Sequence, residues 1–425
     1  MATSLRSEQM AAVERRMHDL ARHGFRPAFG EGKAKKKPDP EWQKIRDTGT
    51  RLWLDTGDME EAAKLFTAEF EALTTNNTLL NKEVQKGLYD DLVGEAAAIL
   101  REAAPDLDER DVFLEIAFVL NARHGLRLVE HFDSYVSVEL HTDLSHDVDA
   151  SVVYGKRFYN VCPERFIVKV PLTPAGLLAA RRLREEGIPV NFTLGFSARQ
   201  NYLASLLAQP NYVNVFMGRL NAFVADHGLG SGDNIGEKAT LATQRALNGL
   251  RDAGRPASLL IGASMRKGAQ VASLAGLDVF TMPTKVAQEY REHPAAEVAS
   301  RVHDDPEVPL KAGVSLDDFN GASLWEVTDG FKEAVDGLLE TPAGELTPEA
   351  VTAHFDRTGH GDLFPAWTQA EIKQVSKDGK IPVYKTWKDR LREKRIGLDA
   401  LMNLSALQSF ASDQSALDAR VRSLL

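Results

Sequence analysis

Lys169 lies inside Phe-Ile-Val-Lys-Val-Pro-Leu (residues 166–172), an apolar run that reads as a buried strand. Burying an ammonium disfavours its charged form and can lower its pKa by several units. A neutral amine in a dry pocket is a nucleophile able to form a Schiff base with a carbonyl substrate. This strand alone leaves two readings open. Lys169 is such a nucleophile, or it is a structural lysine that pairs with a carboxylate or reaches solvent at the strand end. At the ends of the other expected strands stand Asp55, Thr74 and Asn76, Glu139, Asn191 and Thr193, Arg219, then Ser264 and Arg266. Each has a plain alternative as a helix cap, a turn residue or a surface ion-pair partner. Around a buried lysine they assemble the parts of a Schiff-base aldolase. Lys169 is the amine, and Glu139 with Thr193 moves protons through a relayed water. Asp55 is a base for a hydroxyl proton as a carbon–carbon bond breaks. Arg219, Arg266 and Ser264 offer charge-assisted hydrogen bonds to a phosphate. Asn76 and Asn191 orient sugar hydroxyls.

Strands and helices must alternate to place these residues on one rim. Apolar runs at 52–55, 72–76, 136–140, 166–172, 190–196, 212–216, 258–263 and 278–282 read as eight strands. Helical periodicity fills the intervals at 59–70, 82–103, 111–124 (with 128–131 as an extension), 148–159, 174–186, from 198, from 220, at 238–252 and at 267–275. This pattern predicts an α/β fold, a (β/α)₈ TIM barrel with its chemistry at the C-terminal strand ends. A doubly wound sheet is the rival, weakened because no Gly-rich phosphate loop follows a strand. The expected organisation is an N-terminal helical arm and basic linker over 1–50, the barrel over 51–290, and a mostly helical extension over 291–425 that packs on the barrel. The linker Gly30 to Pro40, with consecutive lysines at 35–37, reads as solvated. Amphipathic helices are expected at 324–339 and 398–424, anchored by Trp325, Trp367 and Trp387. GHGD at 359–362 reads as an exposed loop.

The 425 residues carry a net charge of -10, which argues against a broad nucleic-acid surface. Cys162 is the only cysteine, so disulfide frameworks and cysteine-rich zinc sites are excluded. No apolar run is long enough to span a membrane, and the charged first twenty residues are unlike a secretory signal. A cytoplasmic protein with no membrane partner is expected, and a homo-oligomer is left open. Glu139, His141, Asp143, His146 and Asp147 can be drawn as a metal cluster, but a strand end running into a loop lacks the spacing of a helical His pair. Asp143, Ser145 and Asp147 are expected to cap the next helix instead. No metal and no cofactor are expected.

The stretches LDTGD (54–58), ALTTN (72–76), VSVEL (136–140), IVKVPLTPAG (167–176), EEGIPVNFTLGFS (185–197), FMGR (216–219), GASMRK (262–267) and AGLDVFTMP (275–283) together resemble the transaldolase family. The last twenty residues, ALQSFASDQSALDARVRSLL, resemble its C-terminal helix. The resemblance implies Lys169 as Schiff-base lysine, Asp55 acting on the C4 hydroxyl, and Glu139 with Thr193 as a water-holding pair. It implies a phosphate site of Arg219, Ser264 and Arg266. Glu139 and Phe216 replace the Gln and Tyr typical of the fructose-6-phosphate aldolase type, which points to transfer rather than free cleavage. The implied substrates are sugar phosphates. A dihydroxyacetone unit would pass from sedoheptulose 7-phosphate or fructose 6-phosphate to glyceraldehyde 3-phosphate or erythrose 4-phosphate, within the pentose phosphate pathway. A free aldolase and a non-catalytic sugar-phosphate-binding barrel are the alternatives. Two departures stand out: Asn214 where the family usually has serine, and Asn76-Asn77 where it has Asn-Pro. Asn214 is expected to alter contacts at the donor end of the ketose.

Overall fold

The computed structural model describes residues 2–30 and 36–425, with side chains from Glu8 onward. Eight parallel strands close into a barrel: β1 (Arg51–Asp55), β2 (Phe70–Thr74), β3 (Tyr135–Glu139), β4 (Phe166–Pro171), β5 (Val190–Thr193), β6 (Tyr212–Phe216), β7 (Leu259–Ala263) and β8 (Val279–Pro283). Each strand pairs with its sequence neighbours, and β8 returns to β1. Parallel neighbours need long crossovers, and every interval here supplies at least one helix. The expected (β/α)₈ barrel with a helical C-terminal extension is therefore the fold.

Side chains alternate along each strand between the helix layer and the barrel interior. A small inner core of Trp53, Ala72, Ile167, Ile261, Ala263 and Val279 fills the lower interior. Two residues further along four of those strands, the inner positions turn polar: Asp55, Thr74, Lys169 and Thr281. A second, larger core joins the outer strand faces to the helices and continues without a break into the C-terminal extension.

Several boundaries differ from the sequence reading. The run 82–103 is two helices, Asn77–Gln85 and Asp90–Ala103, because Gly87 takes φ +80°. The helix from Met59 ends at Leu65, ahead of β2. Residues 109–132 form one continuous helix, Glu109–Phe132. β2 stops at Thr74 because Asn76 turns to cap the next helix, its Oδ1 accepting from the Leu79 N–H at 2.9 Å. β5 stops at Thr193 because Leu194 adopts φ +67°. Pro174 does open its helix, with Thr173 as cap. Asp147 caps the Val148–Val161 helix, whereas the Asp143 carboxylate does not.

The linker is not wholly solvated. Residues 31–35 lie outside the described residues, but Lys36 stacks 4.4 Å from the Phe66 ring centre and donates to the Phe132 carbonyl. GHGD is also not a free loop. Its Asp362 accepts two hydrogen bonds from the buried Arg199, at 3.0 and 2.8 Å. Arg199 also donates twice to the fully buried Asp399, which opens the Leu398–Arg422 helix. Trp367 and Trp387 pack edge to face 5.8 Å apart, within the extension as expected. No helix among the described residues is long and apolar enough to cross a membrane.

His124, on the Glu109–Phe132 helix, backs the loop that follows Asp55. A Cβ at Gly57 would lie 2.8 Å from its Nε2, and its Nδ1 is 2.8 Å from the Tyr89 hydroxyl. Burial, reinforced by the Arg127 and Lys86 charges and opposed by Asp58, lowers its pKa to about 4. The unfolded chain takes up this proton near the ordinary histidine value, and the folded chain resists it. The stability that neutral His124 confers is present above pH ~6.5 and lost as pH falls towards 4, by ~3 kcal/mol at most. Denaturant midpoints of wild type and His124→Gln at pH 7 and pH 4.5 should therefore converge at the lower pH. A gap of constant size would refute this.

Candidate active site

Lys169 sits on the inner face of β4, two residues above Ile167, and its side chain is almost fully buried. Its Nζ donates to the Thr75 carbonyl at 3.2 Å and lies 3.6 Å from Glu139 Oε1. The pairing register explains the meeting: Glu139 on β3 stands directly beside Lys169 on β4, and Lys169 beside Asn191 on β5. The dry, apolar pocket expected around this lysine is thus partly lined with carboxylates. Nucleophile and ion-paired lysine are not exclusive here.

Glu139 Oε2 accepts the Asn77 backbone N–H at 3.1 Å. Burial pushes its carboxyl above the usual range, and the Lys169 charge and the Asn77 hydrogen bond pull it back part-way. Asp55, at the end of β1, behaves alike. Burial raises it, while the Lys169 charge and a 2.8 Å hydrogen bond from Thr74 Oγ1 oppose that rise. Thr74 also meets Thr281 Oγ1 at 2.7 Å, so Thr74 holds Asp55 against the barrel wall. Two carboxyls with raised pKa values beside one amine are suited to exchanging protons with a reacting group.

Thr193 is fully buried, and its Oγ1 has no hydrogen-bond partner among the described residues. Asn191 donates to Ser137 Oγ at 3.0 Å, and its Oδ1 is likewise unpartnered. Buried polar atoms are normally satisfied, so these two orphaned groups on the inner rim are free to accept a further hydrogen-bond partner. The remaining expected residues divide. Asn76 is turned to its helix, as described above. Asn214 Oδ1 accepts the Gly195 N–H at 3.2 Å, and its backbone carbonyl takes a hydrogen bond from Asn201. Asn214 therefore braces the β5 exit loop. Phe216 packs against Phe196 at 5.8 Å and Phe410 at 6.4 Å.

Arg219 lies in the first turn of the Met217–Asp226 helix, not on a strand. Its burial lowers its pKa to about 10, with the Arg266 charge as the next contribution. Gly218 permits this closeness: a Cβ there would lie 2.1 Å from the Ser264 carbonyl and 2.9 Å from Arg266 Cγ. Ser264 itself takes φ +61° to make the turn. Two like charges held this near each other favour an anion between them. Glu139, His141, Asp143, His146 and Asp147 do not converge, and no group of three or more such ligands among the described residues is placed to hold a metal ion.

The sequence reading expected the extension to pack on the barrel, but not which of its residues reach the site. The Leu398–Arg422 helix crosses the rim as a roof. Asn403 donates to the Leu172 and Leu194 carbonyls at 2.9 and 2.8 Å, just past β4 and β5. Phe410 lies 6.0 Å from Lys169 Nζ and 5.9 Å from the Arg219 guanidinium, measured to its ring centre. Asp413 accepts from Thr78, just past β2. The amphipathic 398–424 stretch and its resemblance to the family's C-terminal helix were the available signals, and the register over the barrel could not be read from them.

The family model described as Transaldolase/Fructose-6-phosphate aldolase matches residues 52–341. The chain belongs to that family. Among its relatives, a transaldolase of Xanthomonas campestris pv. campestris (strain B100) is 30% identical over 307 residues, covering 69% of this chain and 94% of the relative. A transaldolase of Xanthomonas euvesicatoria pv. vesicatoria (strain 85-10) is 28% identical with the same coverage. A probable transaldolase of Dictyostelium discoideum is 26% identical over 287 residues, covering 66% of this chain and 87% of the relative. The transaldolase-family match embraces all eight strands, from Leu52 onward, and stops short of the roof helix.

Proposed function

We propose that this protein is a transaldolase that moves a dihydroxyacetone unit between sugar phosphates through an imine on Lys169. The observation that carries this reading is the buried Lys169 amine 3.6 Å from Glu139, on a rim that also holds Asp55 and the unpartnered Thr193 hydroxyl. The amine attacks the C2 carbonyl of the ketose, forming a carbon–nitrogen bond. Glu139, with a water held by Thr193, supplies the protons that expel the carbonyl oxygen as water. The protonated imine then accepts the electron pair of the C3–C4 bond while Asp55 takes the C4 hydroxyl proton. The first aldehyde leaves, the enamine attacks the carbonyl of the second, Asp55 returns its proton to the new hydroxyl, and water hydrolyses the imine to release the product ketose and free Lys169. Arg219 and Arg266, with Ser264, hold the phosphate, Asn191 holds a sugar hydroxyl, and Thr74 keeps Asp55 in place. The reaction's setting is proposed to be the pentose phosphate pathway in the cytoplasm. Glu139 and Phe216, in place of Gln and Tyr, favour transfer over free cleavage.

Borohydride reduction during incubation with fructose 6-phosphate tests this. Intact mass should show one dihydroxyacetone adduct, and peptide mapping should place it on Lys169. Bound substrate with no adduct would leave only a sugar-phosphate-binding barrel.

A further inference from the structure

Arg219 is not free: its Nη1 donates to the Lys380 carbonyl at 2.9 Å. Lys380 lies beyond the family-matched residues, in a turn that is itself held from several sides. The hydroxyl of Ser405, on the roof helix, lies within hydrogen-bond distance of both the Gly379 and Lys380 carbonyls, at 3.1 and 3.2 Å. Asp378 Oδ2 accepts the Val383 N–H at 3.0 Å and the Trp387 Nε1–H at 3.0 Å, closing the turn on itself. His227, just past the far end of the Arg219 helix, places Nε2 2.8 Å from the Pro382 carbonyl. The 378–383 segment is thus clasped along the helix that carries Arg219. Gly379 takes φ +83° and ψ −142°, a conformation essentially restricted to glycine.

We propose that the Gly379–Lys380 turn, fixed by Ser405, is a positioning element for the substrate phosphate. It rests on the reading of Arg219 as a phosphate ligand. A guanidinium has five N–H donors in a rigid fork. The Lys380 carbonyl occupies one of them and sets the plane of the fork, leaving the others to meet a phosphate beside Arg266. Without that acceptor, the buried guanidinium has to reorient to find another partner, and the fork is no longer pre-organised. Ser405 and Gly379 act only through the turn and are positioning residues. Phosphate affinity is therefore governed partly by a segment that the family match does not include.

The test is steady-state kinetics on Ser405→Ala and Gly379→Val, with fructose 6-phosphate as donor and inorganic phosphate as competitive inhibitor. A Cβ at 379 has nothing within 4 Å, so the strain of a positive φ is the expected cause of its effect. Both variants should raise the KM for the sugar phosphate and the Ki for inorganic phosphate together, by roughly 5- to 20-fold. Their kcat should stay within about twofold of wild type. A purely structural role would lower the thermal midpoint and leave both constants where they were, and that result overturns the proposal. Arg219→Gln serves as the control. If it leaves the Ki for inorganic phosphate unchanged, the phosphate-site reading fails, whatever the turn variants do.

Discussion

Lys169→Met is expected to lower turnover of fructose 6-phosphate by ~10⁴-fold or more, because no other group in the site can form the imine. Methionine keeps the length and most of the volume of the lysine stem, so the inner layer above Ile167 stays filled. The change is in charge. Asp55 and Glu139 both lose the cation that holds their raised carboxyls down. Their folded-state pKa values should rise further above the unfolded ones. A carboxyl raised in this way stabilises the fold below its unfolded pKa, and that stability is lost as pH rises through the folded value. The variant should therefore be close to wild type in stability in mild acid and increasingly weaker towards pH 8. Substrate should still bind, since the arginines are untouched. Thermal melts across that range, alongside single-turnover assays, check both halves. A variant that retains more than about a hundredth of wild-type turnover would show that the amine is not the nucleophile.

How much of this was legible in the chain follows from what each residue depends on. The strands were legible because each is a short β-branched or aromatic run bounded by polar residues, and burial on both faces removes the ambiguity of alternation. Lys169 announced itself by contrast with Ile167, Val168 and Val170, which are all buried. Its neighbour Glu139 followed from barrel register, which a strictly alternating order of strands and helices nearly determines. Boundaries set by a single backbone torsion were not legible: Leu194 and Ser264 are ordinary residues that take positive φ only because the folded rim requires it. The contacts of Asn76 and Asn214 were also out of reach, because an amide serves a helix cap or a loop N–H as readily as a hydroxyl. The contacts of the roof were the largest omission. Phe410, Asn403 and Lys380 reach the site from a segment whose amphipathic pattern tells which face is buried, but not against what.

The roof also gives the largest expected effect on stability. Asp399→Ala should destabilise the fold by about 3–5 kcal/mol, the cost typical of breaking a buried ion pair from one side. Asp399 is fully buried at the first turn of the roof helix, where its two oxygens receive Arg199 Nε and Nη2 at 2.8 Å and the Ser197 hydroxyl at 2.7 Å. Removing it leaves a buried guanidinium with Asp362 alone and leaves the Ser197 hydroxyl without that acceptor. Asp362→Ala should cost less, because Asp362 is partly exposed and Asp399 remains to neutralise the arginine. Gly397→Ala should resemble Asp399→Ala, since a Cβ there would lie 2.2 Å from both Arg199 Nη2 and Asp399 Oδ1. If the penalty is one of unpaired charge rather than lost packing, replacing Arg199, Asp362 and Asp399 together by Met, Leu and Leu should recover much of it. Denaturant unfolding of the single and triple variants separates these cases. A triple variant as weak as Asp399→Ala would assign the effect to packing. A single variant with full stability but a slack roof, seen as amide exchange confined to residues 398–422, would show that the latch orders the helix over Lys169 without contributing to the barrel.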